Sequence, residues 1–198
     1  MPAPDKDKIE RLQRALEEYE AGEADGSAVF DRTHEEALAP VRKRALGLLD
    51  QRARSRHELR ERLLRAEFAP QLVDEVLDSL ERASLIDDTY FATEWVRQRA
   101  ARRGKSAKAL DMELRDKGVA ADARAAALEQ ITEADEEAQA RALAKKKAGS
   151  IKTKPADRAE YNKALRRVVG VLARRGYGSG MSVRIAREAL DARLAELG

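Results

Sequence analysis

A short apolar pattern recurs three times along the chain and constrains its fold more than any other feature. Two aliphatic residues stand four apart, and four positions further on a turn residue precedes another apolar side chain. The copies read Leu59, Leu63, Glu67, Phe68; then Leu110, Leu114, Gly118, Val119; then Val168, Leu172, Gly176, Tyr177, at offsets of 51 and 58 residues. Residues four apart share one face of a helix. Gly118 and Gly176 fall where a helix ends in a positive-φ cap, and the next apolar residue then folds back onto the core. Glu67 departs from glycine, so the first copy is expected to end its helix differently. Recurrence at such a period marks a repeat architecture.

Each copy extends in the same way on both sides. Upstream of the second lies Tyr90, Phe91, Trp95 and Val96, an amphipathic helix predicted to be capped by Asp88. The first copy answers with Leu46, Leu48 and Leu49, and the third with Ala138, Leu143 and Ala144. Downstream, Val73, Val76, Leu77 and Leu80 form a third helix, matched by Ala127, Leu128 and Ile131, then by Met181, Val183, Ile185, Ala189 and Leu190. Ser55 before Glu58 has capping-box spacing and marks the start of the first middle helix. The reading is an all-α fold of three tandem three-helix repeats, near 41–86, 87–135 and 136–198. Residues 1–40 read as an N-terminal arm, with one helix on Ile9, Leu12, Leu16 and Tyr19 and then an acidic stretch over 22–27. Composition agrees: 38% of residues are charged and 4% aromatic, and alternating Val, Ile and Thr runs that would build sheets are missing.

The net charge of +3 conceals strong segregation. Segments 41–65, 97–117 and 141–175 carry +6, +5 and +10, whereas 5–39, 67–94 and 122–137 carry −6, −7 and −5. In the first two repeats the first and middle helices are basic and the third is acidic, so stacking would align positive patches into a stripe. Residues 145–158, with Pro155, read as a long basic loop within the third repeat. The chain contains no cysteine, which excludes disulfides and thiol chemistry and agrees with a reducing compartment. No apolar stretch reaches the roughly 18 residues that suggest a membrane span, and no signal core follows Met1. The expectation is cytoplasmic, with no membrane partner.

Catalytic readings fail on spacing. Gly104-Lys105-Ser106 mimics a phosphate loop, but the glycine required five residues earlier is Arg99, and a helix precedes it rather than a strand. A helix-ending Gly104 and a capping Ser106 explain it better, with Arg102, Arg103, Lys105 and Lys108 forming a basic corner. Gly176-Tyr177-Gly178-Ser179-Gly180 lacks a βαβ context and reads as a flexible helix–helix turn. His34 and His57 stand alone without ligand spacing, and Asp87-Asp88 is explained by helix capping. Neither a cofactor nor a metal nor an enzymatic activity is expected. Tyr90, Phe91 and Trp95 are expected in the core rather than stacked on nucleic-acid bases.

The string Leu85-Ile86-Asp87-Asp88, Phe91-Ala92, Trp95-Val96, Arg99, Arg103-Gly104-Lys105, Leu110, Leu114-Arg115 and Lys117-Gly118-Val119 resembles the signature of the RecX family, regulators of the bacterial RecA recombinase. The resemblance spans roughly residues 41–198. It implies an elongated, curved modular protein that binds RecA and its filament on single-stranded DNA and limits ATP hydrolysis, strand exchange or filament growth. On that reading Arg97, Arg99, Arg102, Arg103, Lys105 and Lys108 supply one part of a contact stripe. Lys145, Lys146, Lys147, Lys152, Lys154, Arg166, Arg167, Arg174 and Arg175 supply the other, with weak direct DNA binding. Nothing demands a dimer. A sequence-specific helical DNA reader would instead need base-reading Arg, Asn or Gln on an exposed recognition helix, whereas the middle helices carry mainly Lys and Arg, which position on phosphate but specify little. A non-enzymatic adaptor, using its basic blocks only for solubility, is the other alternative.

Overall fold

The structure is a computed structural model in which residues 27–198 are described; the helix expected on Ile9–Tyr19 lies outside them. The described residues form nine helices and no strand. These are α1 (Ser27–Gln51), α2 (Arg56–Leu64), α3 (Pro70–Arg82), α4 (Asp88–Arg103), α5 (Ala107–Asp116), α6 (Ala121–Leu128), α7 (Glu133–Ala148), α8 (Arg158–Ala173) and α9 (Ser179–Glu196). The described residues divide into two compact units: residues 27–52 with Leu59–Ala83, and Ala53–Glu58 with Ser84–Gly198.

In the first unit α1 packs on α3. Their buried side chains are Leu38, Val41, Ala45 and Leu48 from α1 and Val73, Val76, Leu77 and Leu80 from α3. Arg60 of α2 holds Asp74 of α3 through two hydrogen bonds, at 2.6 and 3.0 Å. Helix α1 runs unbroken through residue 40, where the sequence reading placed the edge of an arm. Among its described side chains Leu38 is the first that is buried, and Leu46, expected to face inward, is 41% exposed. Residue 46 is one position off the stripe set by 38, 41, 45 and 48, which explains the difference.

The second unit contains two bundles. Helices α4, α5 and α6 pack pairwise around Phe91, Ala92, Val96, Leu110, Leu114, Val119 and Ala127. Helices α7, α8 and α9 pack pairwise around Ala140, Ala144, Val168, Leu172, Tyr177, Ile185 and Ala186. The inward face of α7 buries Ala140, Ala144 and Ala148, with Leu143 half-buried against the same core; Ala144 and Leu143 lie as expected, whereas Ala138 is exposed. α7 also extends to Ala148, so Lys145, Lys146 and Lys147 form its last turn, where cations suit the negative end of the helix dipole. The loop read at 145–158 therefore shrinks to 149–157.

The recurring turn takes one geometry in all three places. Phe68, Val119 and Tyr177 donate their backbone N–H to the carbonyls of Leu63, Leu114 and Leu172 at 3.4, 3.1 and 3.3 Å. The residue before each is left-handed: Glu67 at φ 63°, Gly118 at 70° and Gly176 at 89°. Glu67 thus ends its helix as the glycines do, contrary to the sequence expectation, because the hydrogen-bonded closure overrides the steric cost of a side chain there. Leu63, Leu114 and Leu172 are fully buried. Truncating one to alanine is worth about 2–5 kcal/mol, against about 0–1 kcal/mol for an exposed ion pair. Apolar packing behind the turns, rather than the dense surface charge, holds these helices together.

Candidate functional site

Before any surface can present charge, the bundles of the second unit must be fixed, and one junction is used twice to do so. Ser55, at the start of α2, donates its hydroxyl to the carbonyl of Lys117 at 2.7 Å, and the N–H of Arg56 donates to the Asp88 carboxylate at 2.9 Å. Fifty-one residues on, the Ser106 N–H donates to the carbonyl of Arg175 at 2.9 Å, and the Ala107 N–H donates to Glu136 at 2.7 Å. In each case the start of a middle helix meets the residue just before the next left-handed glycine. A Cβ on Gly118 would lie 2.4 Å from the Cβ of His57, and one on Gly176 would lie 2.6 Å from Ala109 and Ser106. Glycine is required there for close approach as well as for φ.

Asp87, not Asp88 as expected, caps α4, accepting the Tyr90 N–H at 2.9 Å. Asp88 serves the junction instead. Gly104 and Ser106 behave as expected, as the left-handed end of α4 and the cap of α5. Tyr177 is buried, donates to the Gly104 carbonyl at 3.2 Å, and has its phenol pushed up in pKa by burial. Phe91 is in the core and Trp95 half-buried against it, but Tyr90 is 64% exposed and is no core residue. The aromatic cluster is turned so that positions 91, 92 and 96 point inward and 90 falls outside that stripe.

The expected basic stripe separates into two kinds of cation. Around α4 and α5 three of the six, Arg97, Arg99 and Lys105, are neutralised. Arg97 is held by Glu94 at 2.6 Å, which lowers the Glu94 carboxyl below its usual range. Glu113 takes three partners: the Trp95 indole N–H at 2.9 Å, Lys105, and Arg99 at 3.7 Å. The Arg99 guanidinium stacks 3.5 Å from the Trp95 ring centroid and Lys117 lies 4.2 Å from it, paired with Glu58 at 2.6 Å. Lys105 is nevertheless lowered from an ordinary lysine by desolvation, then by Arg99, Arg103 and Arg175, so these four cations converge. Glu113 was not singled out from the sequence, and Lys117 only as part of the family-like string; the i,i+4 spacing of Trp95 and Arg99 was the available signal.

Around α7 and α8 Arg141 is held by Glu137 at 2.7 Å, but a second group of cations has no carboxylate partner among the described residues. Lys147, Lys152, Lys154 and Arg167 line one open cleft of about 460 Å³ together with Lys163, which the sequence reading missed. None of the five has an ion-pair partner among the described residues. The Glu160 carboxylate on the rim instead accepts the Ala156 N–H at 2.8 Å. Arg166 is exposed on α8 and outside the cleft lining. Lys145 lines a separate surface with Glu188 and Glu196, and Lys146 is exposed beyond the lining of either. Lys108 and Arg174 flank an open apolar groove floored by Met112 and Val183. Arg102 and Arg103 are exposed at the end of α4. Among the described residues no His, Asp and Glu cluster could hold a metal, and no helix is long and apolar enough to cross a membrane. His34 is engaged with Glu75 at 2.7 Å.

Fold and surface together define an all-helical protein of small three-helix domains bearing a free cationic cleft. Family models agree: that of the RecX first three-helix domain matches residues 42–80, and that of the RecX second three-helix domain matches 87–128. The chain is 59% identical to the regulatory protein RecX of Corynebacterium efficiens, over 96% of this chain and 91% of that one. It is 37% identical to the protein of the same name from Thermobifida fusca, over 82% and 85%. The crystal structure of RecX from Lactobacillus salivarius superposes with a TM-score of 0.66 at 22% identity, covering 80% of this chain and 99% of that one. This chain belongs to the RecX family.

Proposed function

We propose that the chain is a non-catalytic regulator that binds the RecA recombinase and its filament on single-stranded DNA, limiting ATP hydrolysis, strand exchange and filament growth in DNA repair and recombination. Likeness to regulatory proteins RecX along nearly the whole chain carries this reading. Several small helical domains in one chain spread weak contacts over successive protomers and gain avidity by linkage. The domains are a first repeat over 41–86, a second over 87–135 and a third over 136–198, in a monomer that works in the cytoplasm. Arg102, Arg103, Lys108 and the cleft cations form the contact surface, while Arg97, Arg99 and Lys105 stabilise α4 and α5.

The test is ATP hydrolysis by the cognate recombinase on single-stranded DNA, titrated with this protein at low and raised salt. Inhibition well below one molecule per recombinase, weakened by salt, supports the reading. Folded protein without inhibition under any condition removes it.

A further inference from the structure

We propose that Glu67 and Asp157 stop copies of this chain from joining head to tail through the junction that the chain uses twice within itself. That junction has two halves. One is a left-handed turn, which offers the carbonyl just before it, at Lys117 and at Arg175; the other is the start of a middle helix, at Ser55 and at Ser106, which receives that carbonyl. The receiving positions are 51 residues apart, and one further period falls on Asp157 at the start of α8. All three side chains cap their helix alike, accepting the N–H three residues on at 3.1, 3.2 and 2.8 Å. Ser55 and Ser106 are buried under the turns they receive, whereas Asp157 is exposed beside an open concavity of about 880 Å³ lined by Pro155, Arg158, Tyr161 and Leu194. One turn is left over as well: that at Glu67 has the same closure, and Ala66 and Glu67 are exposed. An open turn and an open helix start on one chain make a heterologous contact, which propagates from copy to copy unless something prevents it.

Both open halves carry an acid where the used halves carry glycine or serine. At the used turns a Cβ would lie 2.4 Å from His57, or 2.6 Å from Ser106 and Ala109, so the Cβ of Glu67 keeps its turn from seating. On the other side, Ser55 donates its hydroxyl proton to the incoming carbonyl, while an ionised carboxylate at 157 has no proton to give and repels that oxygen. Glu67 and Asp157 would also meet as like charges. Neither acid is required locally: glycine relieves the left-handed strain at 67, and serine or asparagine caps a helix about as well as aspartate. A strained residue kept where a relaxed one fits points to a purpose beyond folding. On the regulator reading, chains bound side by side on one filament are at roughly millimolar effective concentration, where even a weak contact between copies counts. The blocked halves themselves are defined without that reading.

The test is sedimentation equilibrium of the full chain, without recombinase or nucleic acid, at protein concentrations up to about 1 mM. Wild type, E67G alone and D157S alone should each stay monomeric. E67G mixed with D157S should form a one-to-one complex and stop there, since only one open turn meets one open helix start. Both substitutions in one chain should go further, roughly doubling the weight-average mass at about 1 mM for a contact with a Kd on the order of 1 mM. E67Q in place of E67G should not associate, because the Cβ remains. Should D157S loosen α8, D157N keeps the cap and carries the same expectation. A doubly substituted chain of native helicity that stays monomeric would overturn the proposal, as would equal self-association of the wild type. Because recombinase is absent, failure here is distinct from failure of the ATP-hydrolysis test.

Discussion

At the scale of single residues, the sharpest test lies in the three left-handed turns. Glu67 holds φ 63° where the other copies have glycine. A side chain there costs about 1–2 kcal/mol of backbone strain, partly offset by the lower unfolded-state entropy of a non-glycine. Glu67→Gly is therefore expected to raise stability by about 0.5–1 kcal/mol, read as a higher urea midpoint at unchanged slope. Gly118→Ala should do the reverse, losing about 2–4 kcal/mol, because it adds a clash with His57 to the φ penalty. Gly149→Ala, at φ −59° with only ordinary contacts, is the neutral comparison. Equal effects at 118 and 149 would show that the junction is not tight. The two glycines were legible in the sequence as caps because glycine names its own conformation. The left-handed Glu67 was not, since its conformation is imposed by the closure of the turn from Phe68 to Leu63.

Among the helices, the apolar stripes were readable where large side chains mark them. Val73, Val76, Leu77 and Leu80 of α3 all lie buried as the periodicity predicts. The stripe of α7 was legible only in part: Ala144 and Leu143 were placed inward, but Ala138 is exposed and Ala140 buried, because alanine is equally common on solvated faces and packing against α8 and α9 decides the side in use. Its N-terminus is held by a capping box between Thr132 and Asp135. The hydroxyl and N–H of Thr132 hold the Asp135 carboxyl below its usual range, and Arg184 does the same for Glu137. A carboxylate with a folded pKa below its unfolded value contributes stability above the ordinary carboxylate range and loses it as pH falls through the depressed value. Helicity should thus hold through mildly acidic pH and fall only below it. Thr132→Ala should move the acid transition upward in pH, seen by circular dichroism. An unmoved transition would mean that the box does not couple to folding.

Across the whole molecule, the segregation of charge was legible in the sequence, yet its consequence was not. Counting residues cannot tell the cations that Glu94, Glu113 and Glu58 neutralise around α4 and α5 from the free ones lining the α7–α8 cleft. Lys163 escaped notice because a single lysine among many acquires meaning only when three segments meet. Arg97, Arg99 and Lys105 tie α4 and α5 together through carboxylates, whereas Arg102, Arg103, Lys108 and the cleft cations have no ion-pair partner among the described residues. The most direct measurement of the central claim is co-sedimentation of this protein with recombinase filaments and with naked single-stranded DNA, at a salt concentration that abolishes binding to the naked strand. The account predicts that it still pellets with filaments, because recombinase contacts add to phosphate contacts. Loss from both at the same salt would contradict it and leave a DNA-binding protein with no particular affinity for the filament.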